Sequence, residues 1–352
     1  MKNIHSDRAA VSARPSRRLA LALCGLLLGG LWSTAGIAGP TLDAIKARGT
    51  LICGVSTGLL GFSQADAAGN YTGLDVDMCR AVSAAIFGTP TKVKYLPLTG
   101  TQRYPALQQG QIDMLSRNST VTLQNEAGLG LLFGPIVFYD GQGVLVPRKM
   151  NVKGVKQLAD VTLCVQAGST SLDNITDYIK ANSLRIKLHI IPQDLGGAMM
   201  SGQCDGISTD ASGLAVIRAG LPTPGDYTIL PERMSREPLA PVVRNNDIQF
   251  YEVMRWSVYA TMEADQLHVS SKNVDDMLSN DDPKIKRLLG VIPGNGAALG
   301  LDEKFAYNII KTVGNYNEIF LRNVGALSVV KLERGLNDGW TVGGLMFSPP
   351  MR

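Results

Sequence analysis

A chain of 352 residues with 45% hydrophobic and 18% charged side chains has an ordinary globular composition and the length of two domains. Its formal charge of +4 sits entirely in the first 38 residues, where Lys2, Arg8, Arg14, Arg17 and Arg18 stand against Asp7. The neutral remainder excludes an electrostatic case for binding nucleic acid or an anionic membrane surface.

That first segment reads as an export signal. Its basic part ends at Arg18, Leu19–Leu31 is an apolar run, and Gly36 and Ala38 are small residues placed for cleavage after Ala38. At about thirteen residues the run falls short of the roughly 20 that a spanning helix needs. Cys24 follows the bulky Leu23, which argues against a lipid anchor. A periplasmic location is expected. Beyond the signal remain Cys53, Cys79, Cys164 and Cys204, and an even count in an exported chain favours disulfides. Three pairings are possible. Each close pair falls within one expected lobe, so Cys53–Cys79 and Cys164–Cys204 are preferred. A metal site competes poorly, because no CxxC occurs and His189 and His268 stand alone.

In chain order, Thr41–Gly49 reads as a short helix ended by Gly49, and Leu51–Val55 as a strand leading into a glycine-rich segment. Asp66–Thr72 is a turn. Gly73–Ile86 opens a helix whose Asp75 and Asp77 are expected to cap its positive end rather than to act as an acid/base pair. Val93–Leu96 is a second strand, and Gln102–Gln109 a helix with Arg103 at its start. Ile112–Leu115 then reads as a strand buried on both faces, as in a parallel sheet.

At Ser116 the composition flips to hydroxyls, an amide and one guanidinium: Ser116, Arg117, Asn118, Ser119, Thr120 and Thr122. Loops outside the carboxyl ends of strands in open α/β sheets are where small polar ligands sit. The plainer reading is a loop in which Thr120 or Thr122 caps a helix.

Gly141–Val146 looks like a glycine-led crossing into a second lobe, where the pattern restarts. Strands are expected at Val161–Val165, Lys187–Ile191 and Cys204–Asp210. Helices are expected at Leu172–Ala181, Leu195–Ser201 and Ser212–Ala219, with a shorter helix-like piece at Val155–Leu158. Such βα units imply a mostly parallel sheet. Pro238–Val243 is a candidate return strand. The remainder is expected to be mostly helical, at Phe250–Ala264, Asp275–Ser279 and Asp302–Arg322.

The segment GLDVDMCRAV at Gly73–Val82 is similar to the signature of the family 3 extracellular solute-binding proteins, the polar amino-acid receptors of ABC importers. CGVSTGLLGFS, ALQQGQIDMLSRNST, FYDGQGVLV, CVQAGSTS, CDGISTDASGLAVIRAG, EPLAPVVRNND and GNYNEIFLRNVG resemble the general L-amino-acid-binding subgroup. The resemblance implies two α/β lobes joined by two crossings, with ligand enclosed between them. Lobe one would be residues 39–143 and 244–352, and lobe two 144–243. It also implies that Asn118 and Thr120 are ligand donors from lobe one. Thr170 would meet a ligand carboxylate, Asp210 would hold the α-ammonium, and Arg103 would contact the ligand side chain. One departure stands out: Asn125 occupies the place of the family's arginine that forks the α-carboxylate, and an amide cannot replace that bidentate pair. Leu59 likewise replaces a stacking aromatic.

The expected function is a receptor, without metal or cofactor, that closes on a small polar solute and delivers it to an inner-membrane permease; a monomer is expected. An enzyme on the same scaffold, like cyclohexadienyl dehydratase, is the alternative. It offers only Glu126 and Asp173 as cleft carboxylates and no nucleophile–histidine pair. A sensor or scavenger without a transport partner is a third reading.

Overall fold

The computed structural model describes residues 39–352, so the expected export segment lies outside them. The described chain opens with α1 (Pro40–Arg48), followed by β1 (Leu51–Ser56), a small hairpin of β2 (Gln64–Ala65) and β3 (Tyr71–Thr72), and α2 (Leu74–Phe87). Gly73 precedes α2 at φ 134°, and a Cβ there would lie 2.0 Å from the carbonyl oxygen of Phe62, so only glycine fits. Next come β4 (Val93–Leu98), α3 (Arg103–Gln108), β5 (Met114–Leu115), β6 (Leu131–Phe133) and β7 (Phe138–Asp140). The second set is β8 (Gln142–Pro147), β9 (Val161–Gln166), α4 (Thr170–Ala181), β10 (Ile186–Ile191), α5 (Leu195–Met200), β11 (Gly206–Asp210), α6 (Ala211–Gly220) and β12 (Tyr227–Ile229). The chain returns through β13 (Glu237–Leu239) and β14 (Val242–Arg244), then turns helical in α7 (Ile248–Gln266), α8 (Pro283–Leu288), α9 (Asn295–Leu299), α10 (Phe305–Thr312) and α11 (Tyr316–Asn323).

Two five-stranded sheets result, ordered β4-β1-β5-β14-β6 and β10-β9-β11-β8-β12. Three strands of each are parallel, as βα units require. The strands entering from the connection, β14 and β8, run antiparallel to their neighbours, so each sheet is more mixed than the βα pattern alone implies. Between the sheets, β7 and β13 pair antiparallel as a two-stranded ribbon. This is the two-lobed α/β architecture expected from the sequence.

Both sheets are covered on both faces. Along β9, Leu163 and Val165 pack towards α4 while Cys164 points to α5 and α6, the period-two alternation of a strand. In the first sheet Met114 joins the large core beneath α2, α7, α10 and α11, whereas Ile112 and Leu115 belong to the opposite core.

Several local expectations are corrected. Asp75 and Asp77 do not cap α2, although both lie in its first turn. They are buried at 3% and 2% exposure and used in tertiary contacts. Asp77 receives Arg322 at 2.8 Å and Asn323 at 2.6 Å. Asp75 receives the Asn118 amide at 3.0 Å and Ser116 Oγ at 3.3 Å. The expected helix over Asp302–Arg322 is two helices, α10 and α11, because Gly314 between them takes φ 98°. Asp276–Ser279 and Val155–Gln157 are single 3-10 turns, and α8 and α9 carried no recognised sequence signal.

The cysteines pair as Cys53–Cys79, tying β1 to α2, and Cys164–Cys204, tying β9 to the approach to β11. With sequence separations of 26 and 40, each closes a loop worth roughly 3.5–4 kcal/mol on the chain-entropy account. Replacing Cys164 and Cys204 together by serine is expected to lower unfolding free energy by up to about 4 kcal/mol in denaturant titrations. An unchanged midpoint would contradict that role. Burial pushes the Asp75 carboxyl up to about 7, against the Asn118 amide, the Ser116 hydroxyl and the Arg117 charge. The folded state therefore holds a proton that the unfolded chain releases near pH 3.9, and this group's contribution to stability falls as pH rises through that window. Between pH 5 and pH 8 the wild type should lose stability relative to Asp75→Asn, by at most about 1.4 kcal/mol per pH unit. Parallel stability profiles of the two proteins would refute this.

Candidate functional site

The carboxyl ends of the parallel strands of both sheets converge on one cleft. There the chain leaves β1 at Ser56, β5 at Leu115, β9 at Gln166 and β11 at Asp210. A cavity of about 430 Å³ opens between these ends, lined among others by Ser56, Arg117 and Asn118 from the first lobe and by Gln166, Thr209 and Asp210 from the second. Its size lies within the range of small-molecule sites. The lobes meet closely beside it: a Cβ on Gly100 would lie 2.5 Å from the Ala167 carbonyl oxygen, and Gly168 faces Gly100 at φ 67°. Side chains at either position would hold the lobes apart.

Asn118 adopts φ 34°, a left-handed conformation that asparagine tolerates better than most residues. Asp75 fixes this conformation by accepting the Asn118 amide, which frees the side chain to reach across the cleft. Asn118 Nδ2 donates to Asp210 Oδ2 at 3.4 Å. Asp210 is 6% exposed. Burial, then the charges of Asp140 and Glu237, push its carboxyl well above the usual range, against Asn118 and Arg103. Asp140 is also raised by burial, although Ser212 donates to it.

Two guanidiniums stand on the first-lobe side. Arg117 is 3% exposed and donates from Nε to the Leu98 carbonyl at 2.9 Å. Burial and the neighbouring Arg103 charge bring it down to about 9. Arg103, 4% exposed, lies over the Tyr104 ring at 4.7 Å and donates across the lobes to the Gly168 carbonyl at 3.3 Å, while its Nε has no partner. Among the described residues neither arginine forms an ion pair.

Thr120 and Thr170 come together across the closure with their hydroxyls 3.3 Å apart. A residue that sequence reasoning missed sits between them. Glu237, at the head of β13 and 2% exposed, accepts Thr120 Oγ1 at 2.6 Å and Thr170 Oγ1 at 3.0 Å on one oxygen. Its other oxygen accepts Asn174 Nδ2 at 2.7 Å and Ser235 Oγ at 2.5 Å. Register explains the placement. The Val121 amide donates to the Pro238 carbonyl and the Ala240 amide to the Ser119 carbonyl, so β13 lies alongside the Thr120 segment. The available signal was one acidic residue heading an otherwise apolar return strand.

Asn125 does not line the cavity. Its amide Nδ2 donates to the Thr120 carbonyl at 3.0 Å, and its backbone N–H to Thr122 Oγ1 at 3.0 Å. The side chain therefore braces the loop, and the Thr122 hydroxyl accepts one backbone amide of the turn that follows, while the residue heading the helical turn Gln124–Gly128 is Leu123, without a side-chain cap. Glu126 and Asp173 also lie off the cavity, and Asp173 is exposed on the first turn of α4. Leu59 lines the cavity in the position noted for a stacking aromatic.

Residues 51–288 match the bacterial extracellular solute-binding proteins, family 3. The chain is 45% identical to the general L-amino acid-binding periplasmic protein AapJ of Rhizobium johnstonii, over 89% of this chain and 93% of that one. It is 46% identical to the glutamate/glutamine/aspartate/asparagine-binding protein BztA of Rhodobacter capsulatus, over 89% and 93%. An ABC transporter/periplasmic binding protein from Brucella ovis with glutathione bound superposes with a TM-score of 0.87 at 44% identity, covering 89% of this chain and 99% of that one. Match length, identity and shared architecture together make this chain a member of the family 3 bacterial extracellular solute-binding proteins.

Proposed function

We propose that this chain is a periplasmic receptor of an ABC importer, closing its lobes on a small polar solute of amino-acid type and delivering it to an inner-membrane permease. The observation that carries the reading is the convergence of Asn118 and Asp210 from opposite lobes at the wall of the cavity. A buried carboxylate beside two other carboxylates is held at a cost in the closed protein. A ligand ammonium there would relieve that cost, and relief on binding favours closure. The related receptors named for amino acids support an amine-bearing ligand.

In this reading Asp210 holds the ammonium, Asn118 positions it, and Arg117, which lines the cavity, offers a donor to the rest of the solute, whereas Arg103 lies off the cavity and ties the lobes through the Gly168 carbonyl. Thr120 and Thr170 mark the lobe contact that forms on closure, with Asn125 bracing Thr120 from behind. Lobe one comprises residues 39–143 and 244–352, lobe two 144–243, and the protein acts as a monomer. Export is directed by the N-terminal signal, which is cleaved after Ala38. Binding rather than catalysis is supported by the position of Glu126 and Asp173 away from the cavity.

Asp210→Asn tests the reading. Titration calorimetry against a panel of amino acids and simple amines should show binding weakened at least about ten-fold, the size of one lost charge-assisted contact. The unliganded variant should melt at the wild-type temperature or above it, since an acid disfavoured by burial and by the Asp140 and Glu237 charges has been removed. Unchanged affinity would make Asp210 a structural residue and overturn the assignment.

A further inference from the structure

The cavity runs along one face of α6. Asp210 heads that helix, and Gly213, Val216, Ile217 and Gly220 line the cavity at the three-, four- and seven-residue spacing of a single helical stripe. Ten residues of α6 span about 15 Å, so the cavity continues well beyond the carboxylate at its head. Its character changes on the way. Arg117, Asn118 and Thr209 stand with Asp210, whereas Leu59 and Leu60 of the first lobe and Met200 of α5 join Val216 and Ile217 in the rest of the wall. Leu60 and Met200 are 36% and 48% exposed, apolar side chains left uncovered by the protein itself.

Two glycines keep this part of the cavity open. Gly213 and Gly220 both belong to α6, and neither takes a positive φ. A Cβ on Gly213 would meet Thr209 Cγ2 at 3.4 Å, an ordinary contact, and one on Gly220 would meet nothing within 4 Å. Neither backbone nor packing therefore demands glycine, which destabilises a helix relative to alanine. What the missing side chains leave is room for a solute. The charges around that room are equally selective. Among the described residues Arg117 is the one cation that lines the cavity. Asp194, the other acid on its wall besides Asp210, is exposed and accepts the Gly197 amide at 3.0 Å. Once Arg117 meets the carboxylate of an amino acid, an acidic side chain finds no cation here and is repelled by Asp194.

We propose that the α6 face formed by Gly213, Val216, Ile217 and Gly220, with Leu60 and Met200, is a specificity-determining side-chain chamber, so that the receptor selects amino acids with large apolar side chains over acidic and amide ones. This rests on the reading of the cleft as a receptor that holds an ammonium on Asp210. Each methylene buried in the chamber adds about four-fold to affinity. An acid or amide of the same length loses its water there without gaining a matched partner. The ratio of affinities between side chains of equal length reports the chamber, and a purely structural role for these residues would leave that ratio unmoved.

The test is titration calorimetry of the full mature protein with side chains matched in size: L-methionine against L-glutamate and L-glutamine, L-leucine against L-aspartate, with L-alanine and L-lysine beside them. Wild type is expected to bind the apolar member of each set about ten-fold or more tightly. Gly213→Leu, which fills the chamber, should weaken L-methionine about ten-fold or more while changing L-alanine by less than about three-fold. Leu60→Lys, at a half-exposed position where folding is at little risk, should shift the ratio of L-glutamate to L-methionine about ten-fold towards the acid. The wild-type ratios decide the matter even if Gly213→Leu fails to fold. Tighter binding of L-glutamate, L-glutamine, L-aspartate or L-lysine than of the apolar members overturns the inference and leaves the receptor reading standing, as does a ratio unmoved in folded Leu60→Lys. If no amino acid binds, both fall.

Discussion

Closing two α/β lobes over a polar cleft takes charged side chains out of water, and the organisation of this molecule follows from how that cost is met. Burial raises the carboxyls of Asp75, Asp140 and Asp210 and lowers the guanidinium of Arg117. Each charge is then handled differently. Asp75 is satisfied by a backbone amide and a hydroxyl and serves to shape the loop that carries Asn118. Glu237 is surrounded by four neutral donors drawn from both lobes and from the segment that joins them. Among the described residues Asp210 has one such donor, from Asn118, and it lies at the cavity wall. The proposed ammonium contact rests on this difference, an under-satisfied buried carboxyl at the wall of a cavity.

The connecting ribbon carries part of this electrostatic arrangement. β7 and β13 pair with each other between the two sheets, and their ends carry Asp140 and Glu237. Both carboxylates act on Asp210 through charge. The ribbon register sets Glu237 opposite Asp140, and Asp140 in turn accepts from Ser212 two residues beyond Asp210, so the three acids are held together at the connection between the sheets.

Much of the scaffold was legible in the chain. The restart of βα units after position 150, the polar runs at the ends of apolar strands and the paired cysteines all follow from local pattern, and the resemblance to a known family supplied the lobes. What was not legible was tertiary. Asp75 and Asp77 satisfy the local rule for a helix N-terminus so well that their real partners, Asn118, Ser116, Arg322 and Asn323, were hidden by distance in sequence. Glu237 went unnoticed because its importance depends on a strand register that sets β13 beside Thr120, more than a hundred residues earlier. Asn125 was recognised as a departure, yet only the structure shows its amide turned onto the Thr120 carbonyl. Gly314, readable as a helix breaker, was overridden by the apolar periodicity on either side of it.

The central claim is that the cleft encloses one small amine-bearing solute against Asp210. Native mass spectrometry of protein released from its own periplasm, without dialysis, addresses it most directly. The account predicts a one-to-one complex with a polar solute that carries an amine and is small enough for a cavity of about 430 Å³. A retained ligand without an amine would contradict it, as would one too large to be enclosed between the lobes.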